Sequence, residues 1–225
     1  VNLSDLIVSQ LAKAYPTAGG ELVVFEGISF ALARGESLAV TGPSGTGKST
    51  LLHILGTLDR PTHGSVRLLG ADPFVLDEKA QARFRRERIG FIFQDHQLMP
   101  QLNVLENTLL PALADGAPTA QHVSRARELL ERVGLSDRLG HLPSELSGGE
   151  QARVAVARSL LLGPTLILAD EPTGNLDPQN AGKIGQLLLE LQRFEQTLLI
   201  VVTHSMELAA TMQRQLPLVK AVVGV

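Results

Sequence analysis

The residues Gly42-Pro43-Ser44-Gly45-Thr46-Gly47-Lys48-Ser49-Thr50 fit the pattern G-x-x-x-x-G-K-[ST]. Such residue types bind phosphate. Glycine lets the backbone take conformations closed to other residues and approach a ligand closely. The N–H groups of the loop, with a helix N-terminus behind them, form an anion-binding nest. Lys48 would reach the β- and γ-phosphates of a nucleotide, and the Ser49 hydroxyl would ligate Mg²⁺. The flanks suit this loop. Ser37-Leu38-Ala39-Val40-Thr41 is a short apolar run of the kind that makes a buried parallel strand, and Ser49-Thr50-Leu51-Leu52-His53-Ile54-Leu55 reads as the first turns of a helix.

Polar groups also stand where other apolar runs end. Thr165-Leu166-Ile167-Leu168-Ala169 is followed by Asp170 and Glu171. Two carboxylates make poor core residues, because burying charge is expensive. Asp170 is a candidate to hold Mg²⁺ through water, and Glu171 to orient and deprotonate an attacking water. Ile89-Gly90-Phe91-Ile92-Phe93 delivers Gln94, a candidate for Mg²⁺ and water contacts. Leu198-Leu199-Ile200-Val201-Val202 delivers Thr203 and His204, the histidine a candidate γ-phosphate contact. In open α/β sheets the C-terminal ends of strands are where ligands bind. Ser147-Gly148-Gly149-Glu150 fits an S-x-x-E capping box whose paired glycines leave N–H donors exposed, a second candidate anion site. Tyr15, the one tyrosine, is a candidate to stack on a nucleotide base.

Holding these groups takes an α/β chain. Leu6–Ala12 and Val23–Leu32 read as strands, the second with an irregularity at Gly27, and Tyr15–Gly20 between them as a turn-rich loop. They are expected to form an antiparallel layer beside a parallel core. Ser65–Leu69 is a further strand. Residues 75–88 form a helix, with Phe84-Arg85-Arg86-Glu87-Arg88 as a solvated face. From 95 to 145 strand signals are few. A helix ends near Leu110, Asp115-Gly116-Ala117-Pro118 is a break, and Thr119 caps a helix to about Val133 with Val123, Ala126, Leu129, Leu130 and Val133 on its apolar side. Asp177 and Pro178 start a helix to about Phe194. The fold class is α/β, a P-loop NTPase core with a parallel sheet, an antiparallel layer and a helical subdomain. The expected organisation is one domain over residues 1–225, with about 1–94 and 159–225 as catalytic core and about 95–158 as helical subdomain.

Composition excludes several classes. A net charge of −3 over 225 residues argues against nucleic acid as the main partner. With no cysteine, disulfides and thiolate metal sites are excluded. No run of 18 apolar residues is present, so no segment is expected to insert directly in a membrane. No basic segment followed by an apolar run opens the sequence, so no secretory signal is expected there.

Taken in order, these motifs resemble the ATP-binding subunits of ABC transporters, from about Leu6 to Met212. They correspond to the adenine loop (Tyr15), Walker A (Gly42–Thr50), the Q-loop (Gln94), the ABC motif (Leu146-Ser147-Gly148-Gly149-Glu150), Walker B with its glutamate (Asp170, Glu171), the D-loop (Asn175-Leu176-Asp177) and the H-loop (His204). The resemblance implies an ATPase that uses ATP and Mg²⁺, with Lys48, Gln94, Glu171 and His204 serving the reaction. It also implies a head-to-tail homodimer in the ATP-bound state. Each ATP would then be held by one subunit's P-loop and by Ser147, Gly148 and Gly149 of the other. An integral membrane permease would convert the cycle into movement, which places the chain peripherally at the cytoplasmic face of the inner membrane.

Within that family the lipoprotein-release and macrolide-export type is the nearest in pattern, on Leu51–Thr62, on Ile89–Pro100 and on Ala169–Asp177. Cell-division ATPases of the FtsE kind, coupled to a non-transporting membrane protein, share much of it and stand as the alternative. A soluble ABC ATPase acting on DNA or ribosomes usually needs a long coiled-coil insertion or a second fused ATPase domain, and neither is present. Two positions depart from the family pattern. Ser205 replaces the usual acidic residue after the H-loop histidine, and Gln215–Val225 replaces the usual final turn and strand.

Overall fold

The computed structural model describes residues 4–18 and 20–219, and Asp115 by its backbone alone. Two compact units divide the chain: one runs to Arg85 and resumes at Ile200, the other is Arg86–Leu199.

In the first unit, β1 (Leu6–Thr17), β2 (Gly20–Leu32) and β4 (His63–Leu68) form an antiparallel sheet in the order β2-β1-β4. Leu6, Val8 and Leu11 of β1 are buried while Ile7 is exposed, the alternation of a sheet with one covered face. The register shifts between Val8 and Leu11, between Leu11 and Lys13 and between Lys13 and Ala14. This sheet corrects one expectation. The first strand does not end at Ala12: Tyr15, Pro16 and Thr17 pair with Leu22, Glu21 and Gly20, so Tyr15 is a strand residue. Gly19 of the expected loop lies outside the described residues, as do residues 220–225 of the divergent C-terminus.

β3 (Ser37–Thr41) is buried along its whole length and pairs in parallel with β8 (Arg214–Pro217), Leu38 opposite Arg214 and Thr41 opposite Pro217. The C-terminal segment thus does supply a short strand, although its sequence departs from the family pattern. α1 (Lys48–Leu55) follows β3 and buries Leu51, Leu52, Ile54 and Leu55. α7 (Met206–Thr211) is capped by the divergent residue Ser205, whose hydroxyl accepts from Leu208 N at 3.1 Å. A serine there has a structural reason, because its short oxygen satisfies a helix-start donor.

In the second unit, β5 (Ile89–Ile92) and β6 (Leu166–Asp170) pair in parallel, Ile89 opposite Leu166 and Ile92 opposite Ala169. α3 (Val104–Leu109), α4 (Ala120–Arg132) and α5 (Gly148–Leu160) pack together, with Leu109, Ala112, Ala126 and Leu161 buried at the contact. The buried Asn107 side chain accepts from Met99 N at 2.7 Å and donates to the carbonyls of Met99, Leu102 and Asn103, so one amide ties down the approach to α3. α6 (Pro178–Glu195) buries Ile184, Leu188 and Leu191. α2 (Glu78–Arg88), which buries none of its residues, and β7 (Leu198–Val202), buried throughout, each carry a boundary between the units.

α5 passes so close to β5 that a Cβ on Gly90 would collide with the Ser159 carbonyl oxygen and stand 3.2 Å from Pro164 Cγ. Backbone cannot yield as a side-chain tip can. Gly90→Ala is expected to destabilise the protein by about 2 kcal/mol or more, read as a lower urea midpoint. Wild-type stability would show that α5 can retreat from β5.

Candidate functional site

The phosphate loop connects β3 to α1 and owes its shape to two crowded glycines. Gly42 has φ 147° and Gly47 φ 88°. A Cβ on Gly42 would collide with the Leu218 carbonyl oxygen, and one on Gly47 would run into Val24 and stand 3.0 Å from Phe25 Cδ1. Only glycine meets both the conformation and the space. Pro43, Ser44 and Gly45 are exposed at the tip, so their backbone is reachable. Lys48 is buried, and its ammonium donates to the carbonyls of Gly42 (2.8 Å) and Pro43 (2.9 Å). Thr46 Oγ1 donates to Pro43 O at 2.9 Å. The loop carbonyls are therefore satisfied from inside by Lys48 and Thr46. Ser49 is exposed and Thr50 half-buried on the first turn of α1.

Tyr15 and His204 belong to the same unit. The Tyr15 hydroxyl donates to Asp59 Oδ2 at 2.6 Å. That carboxylate acceptor, with partial burial, pushes the phenol pKa up. His204 is exposed directly after the buried Thr203, whose N–H donates to Val40 O at 3.2 Å. That bond places the histidine just past the level where β3 runs into the phosphate loop.

The second unit brings together Gln94, Asp170, Glu171 and the start of α5. The register of β5 with β6 sets Gln94 and Asp170 at the same, C-terminal, end of the pair. Asp170 and Glu171 are half-buried, and Glu171 has φ 44°, a left-handed conformation uncommon outside glycine. Gly174 N donates back to Glu171 O at 3.0 Å, closing a turn. Gln94 lies against that turn, its Nε2 3.1 Å from where a Gly174 Cβ would stand. Asn175 Nδ2 donates to Gln94 O (3.3 Å) and Asp95 Oδ1 (3.1 Å).

α5 starts with the expected capping box. Ser147 Oγ accepts from Glu150 N at 3.3 Å, and the Glu150 carboxylate accepts from Ser147 N and from Ser147 Oγ, each at 2.8 Å. Those two Ser147 donors, with Arg138 at 3.3 Å, hold the Glu150 carboxyl below the usual carboxylate range. Gly148 and Gly149 leave this helix start bare of side chains, and a Cβ on Gly149 would stand 3.6 Å from Asn180 Cγ. Asn180 is fixed by Asp177, the N-cap of α6, through Asp177 Oδ2 at 2.6 Å. Two helix starts, α5 and α6, therefore lie side by side.

The ABC transporter family matches residues 25–174. The chain belongs to the ABC transporter family. It is 58% identical over 214 residues to the lipoprotein-releasing system ATP-binding protein LolD 1 of Rhodopirellula baltica, covering 95% of this chain and 93% of that one. It is 50% identical to the protein of that name, LolD, from Geobacter metallireducens, covering 96% of each. Among solved structures, the dimeric bacterial ABC transporter cassette MJ0796 superposes with a TM-score of 0.84 at 37% identity, covering 95% of this chain and 94% of that one. The same cassette has been solved in a post-hydrolysis state bound to ADP and Pi, at the same TM-score and identity. The fold is thus that of an ABC ATPase, with a parallel sheet, an antiparallel sheet and helices.

Several residues of this ABC ATPase that shape its motifs were not visible in the sequence. Asp59 is one, bound to Tyr15 more than 40 residues away; Asn175 was placed in the D-loop by its motif, but its bond to the Gln94 carbonyl, 81 residues away, was not legible. Arg158 is another. It stands in the last turn of α5, and its guanidinium donates to His96 O (2.5 Å) and Gln97 O (2.7 Å), just beyond Gln94. His96 and Gln97 have φ 56° and 47°, two successive left-handed residues without a glycine. Burial pushes the Arg158 pKa down from its ordinary value. Two charge-assisted bonds thus hold a strained turn to the helix that begins at Ser147. Arg158→Met should speed amide hydrogen exchange at His96 and Gln97 about ten-fold or more, with β5 amides unchanged. Equal protection in both proteins would show that the turn holds itself.

Proposed function

We propose that this ABC ATPase energises a lipoprotein-releasing permease, and that it does so by hydrolysing ATP·Mg²⁺ between two copies of the chain. The observation that carries the reading is that one chain holds two helix starts suited to an anion, the phosphate loop before α1 and Ser147-Gly148-Gly149 before α5. One nucleotide triphosphate needs one such loop. The second finds its ligand when a second copy supplies it, and the solved cassette with this fold is dimeric. The names of the relatives at 58% and 50% identity support lipoprotein release over the cell-division alternative.

The residues fit the chemistry. The glycine cradle admits phosphate where no side chain fits, and Lys48 supplies a cation beside it. Ser49, Gln94 and Asp170 offer hydroxyl, amide carbonyl and carboxylate oxygens, the hard donor set that Mg²⁺ takes. Mg²⁺, when bound, would neutralise charge developing on the phosphates. Lys48 and the loop amides of Gly42–Thr50 would stabilise the same charge. Glu171 would accept the proton of the attacking water, and Gln94 and His204 would hold that water and the γ-phosphate in line. Tyr15 would carry the adenine. Ser147, Gly148 and Gly149 would close on the γ-phosphate of the partner copy's ATP. The chain would be held at the cytoplasmic face of the inner membrane through its permease. Among the described residues no helix is long and apolar enough to cross a membrane.

Lys48→Ala is expected to lose ATP turnover, and Glu171→Gln to keep ATP binding while turnover falls at least about 100-fold. Steady-state phosphate release and nucleotide binding check both, and near-normal turnover of Lys48→Ala would overturn the phosphate-loop assignment. Tagged Glu171→Gln, locked with ATP and applied to detergent-solubilised membranes, should bring down a permease with a large extracytoplasmic domain. Recovery of a division protein instead would move the assignment to the alternative.

A further inference from the structure

Lys13 and Asp59 are charged groups in the phosphate-loop unit to which the hydrolysis chemistry gives no task. Lys13 is 8% exposed and lies on β1 two residues before Tyr15. Asp59 follows α1 by a few residues. Its Oδ2 accepts from the Tyr15 hydroxyl at 2.6 Å, and its Oδ1 accepts from Lys13 Nζ at 2.7 Å. Lys13 Nζ also donates to Arg60 O at 2.8 Å and stands 4.4 Å from the centroid of the Tyr15 ring. Thr62 fixes the same turn to β1. Its hydroxyl accepts from Ala14 N (2.9 Å) and donates to Ala14 O (3.2 Å), and its N–H donates to Ala12 O (2.9 Å).

These contacts define how the ring is held. The hydroxyl is tied to a carboxylate at the end of the helix that starts at the phosphate loop. The ammonium lies against the ring, within the range of a cation–π contact. The ring itself is 39% exposed. Partial burial alone would raise the Asp59 carboxyl, but the bonds from Lys13 and Tyr15 outweigh it and hold it below the usual carboxylate range. The acceptor is therefore charged at neutral pH.

We propose that Lys13 and Asp59 are positioning residues for base recognition, fixing the Tyr15 ring to the end of α1 and covering one face so that the other meets the purine. The proposal rests on the reading of Tyr15 as the adenine platform. It separates two parts of nucleotide affinity, with the phosphates held by Gly42–Thr50 and the base held by a tyrosine whose orientation Asp59 and Lys13 set.

The test is calorimetric binding of Mg²⁺ with ATP, and of Mg²⁺ with inorganic tripolyphosphate, in the Glu171→Gln background where ATP is not consumed. Asp59→Asn, Lys13→Met, Tyr15→Phe and Tyr15→Ala are each added to it. Asp59→Asn and Lys13→Met should weaken ATP binding about five-fold and leave tripolyphosphate binding unchanged. Neither should add to the loss caused by Tyr15→Ala when combined with it, because both act through the ring. Tyr15→Phe keeps the ring and removes only the hydroxyl. It should reproduce most of the Asp59→Asn loss, and it answers the question should Asp59→Asn fold poorly. Equal losses for ATP and tripolyphosphate would show that Asp59 and Lys13 merely brace the phosphate loop, and would overturn the proposal. So would a full additional loss on top of Tyr15→Ala. If Tyr15→Ala itself binds ATP normally, the adenine reading of Tyr15 falls and the proposal with it. If Tyr15→Ala is weakened but Asp59→Asn and Lys13→Met are not, only the proposal falls.

Discussion

Phosphate held by main-chain N–H groups needs a backbone with nothing on it at the point of contact, and that backbone must be fixed before the ligand arrives. Here the fixing is done by crowding. Gly42 is pressed against the Leu218 carbonyl and Gly47 against Val24 and Phe25, so neighbouring strands set the loop's path. β3 is buried along its length and α1 buries four apolar residues, which makes both anchors stiff. Lys48 completes the design by turning its ammonium onto two loop carbonyls. That contact satisfies two of the loop's acceptors from the inside.

The start of α5 is built differently. It carries its own anion: the Glu150 carboxylate accepts from the Ser147 N–H and hydroxyl and is balanced by Arg138. A helix start already occupied by a carboxylate is a weaker magnet for phosphate than the bare loop before α1. On the two-copy reading this asymmetry has a use. A nucleotide would first be captured by the phosphate loop of one copy and only then be closed upon by Ser147 of the other, once it is held in place and its γ-phosphate can compete for the Ser147 hydroxyl.

The parts of this molecule that could be read from its sequence are those whose partners lie close along the chain. Ser147 with Glu150 and Asp177 with Asn180 are contacts at a separation of three, and Gly42–Thr50 is a single loop between two short elements. The strands ending at Gln94, Asp170 and His204 were legible because an apolar run that stops at a polar group is a local pattern. What escaped depends on distant pairing. Tyr15 was expected in a loop because Pro16, Thr17 and Ala18 favour turns, yet pairing with Leu22 keeps it in a strand and Asp59 fixes its hydroxyl. Arg158 carries no local signal, because its partners are 61 and 62 residues away. Ser205 looked like a departure from a family pattern, and its cap on α7 shows why a serine serves there.

In the second unit the catalytic candidates stand on one continuous piece of hydrogen-bonded structure. β5 and β6 are matched residue for residue up to Ile92 and Ala169, so the turns bearing Gln94 and Glu171 leave the pair at one level. Asn175 reaches from the second turn to the backbone of the first, and Arg158 holds the far side of the first turn to α5. Both turns contain non-glycine residues in left-handed conformations, Glu171 in one and His96 and Gln97 in the other. Such conformations cost free energy and persist only where the surroundings impose them. The helix that begins at Ser147 is therefore tied, through Arg158, to the turn that carries Gln94, and through Asn175 to the turn that follows Glu171. A shift of α5 along its axis cannot leave the turn of His96 and Gln97 undisturbed, because the bonds that hold the carbonyls of those two residues come from Arg158 on that helix.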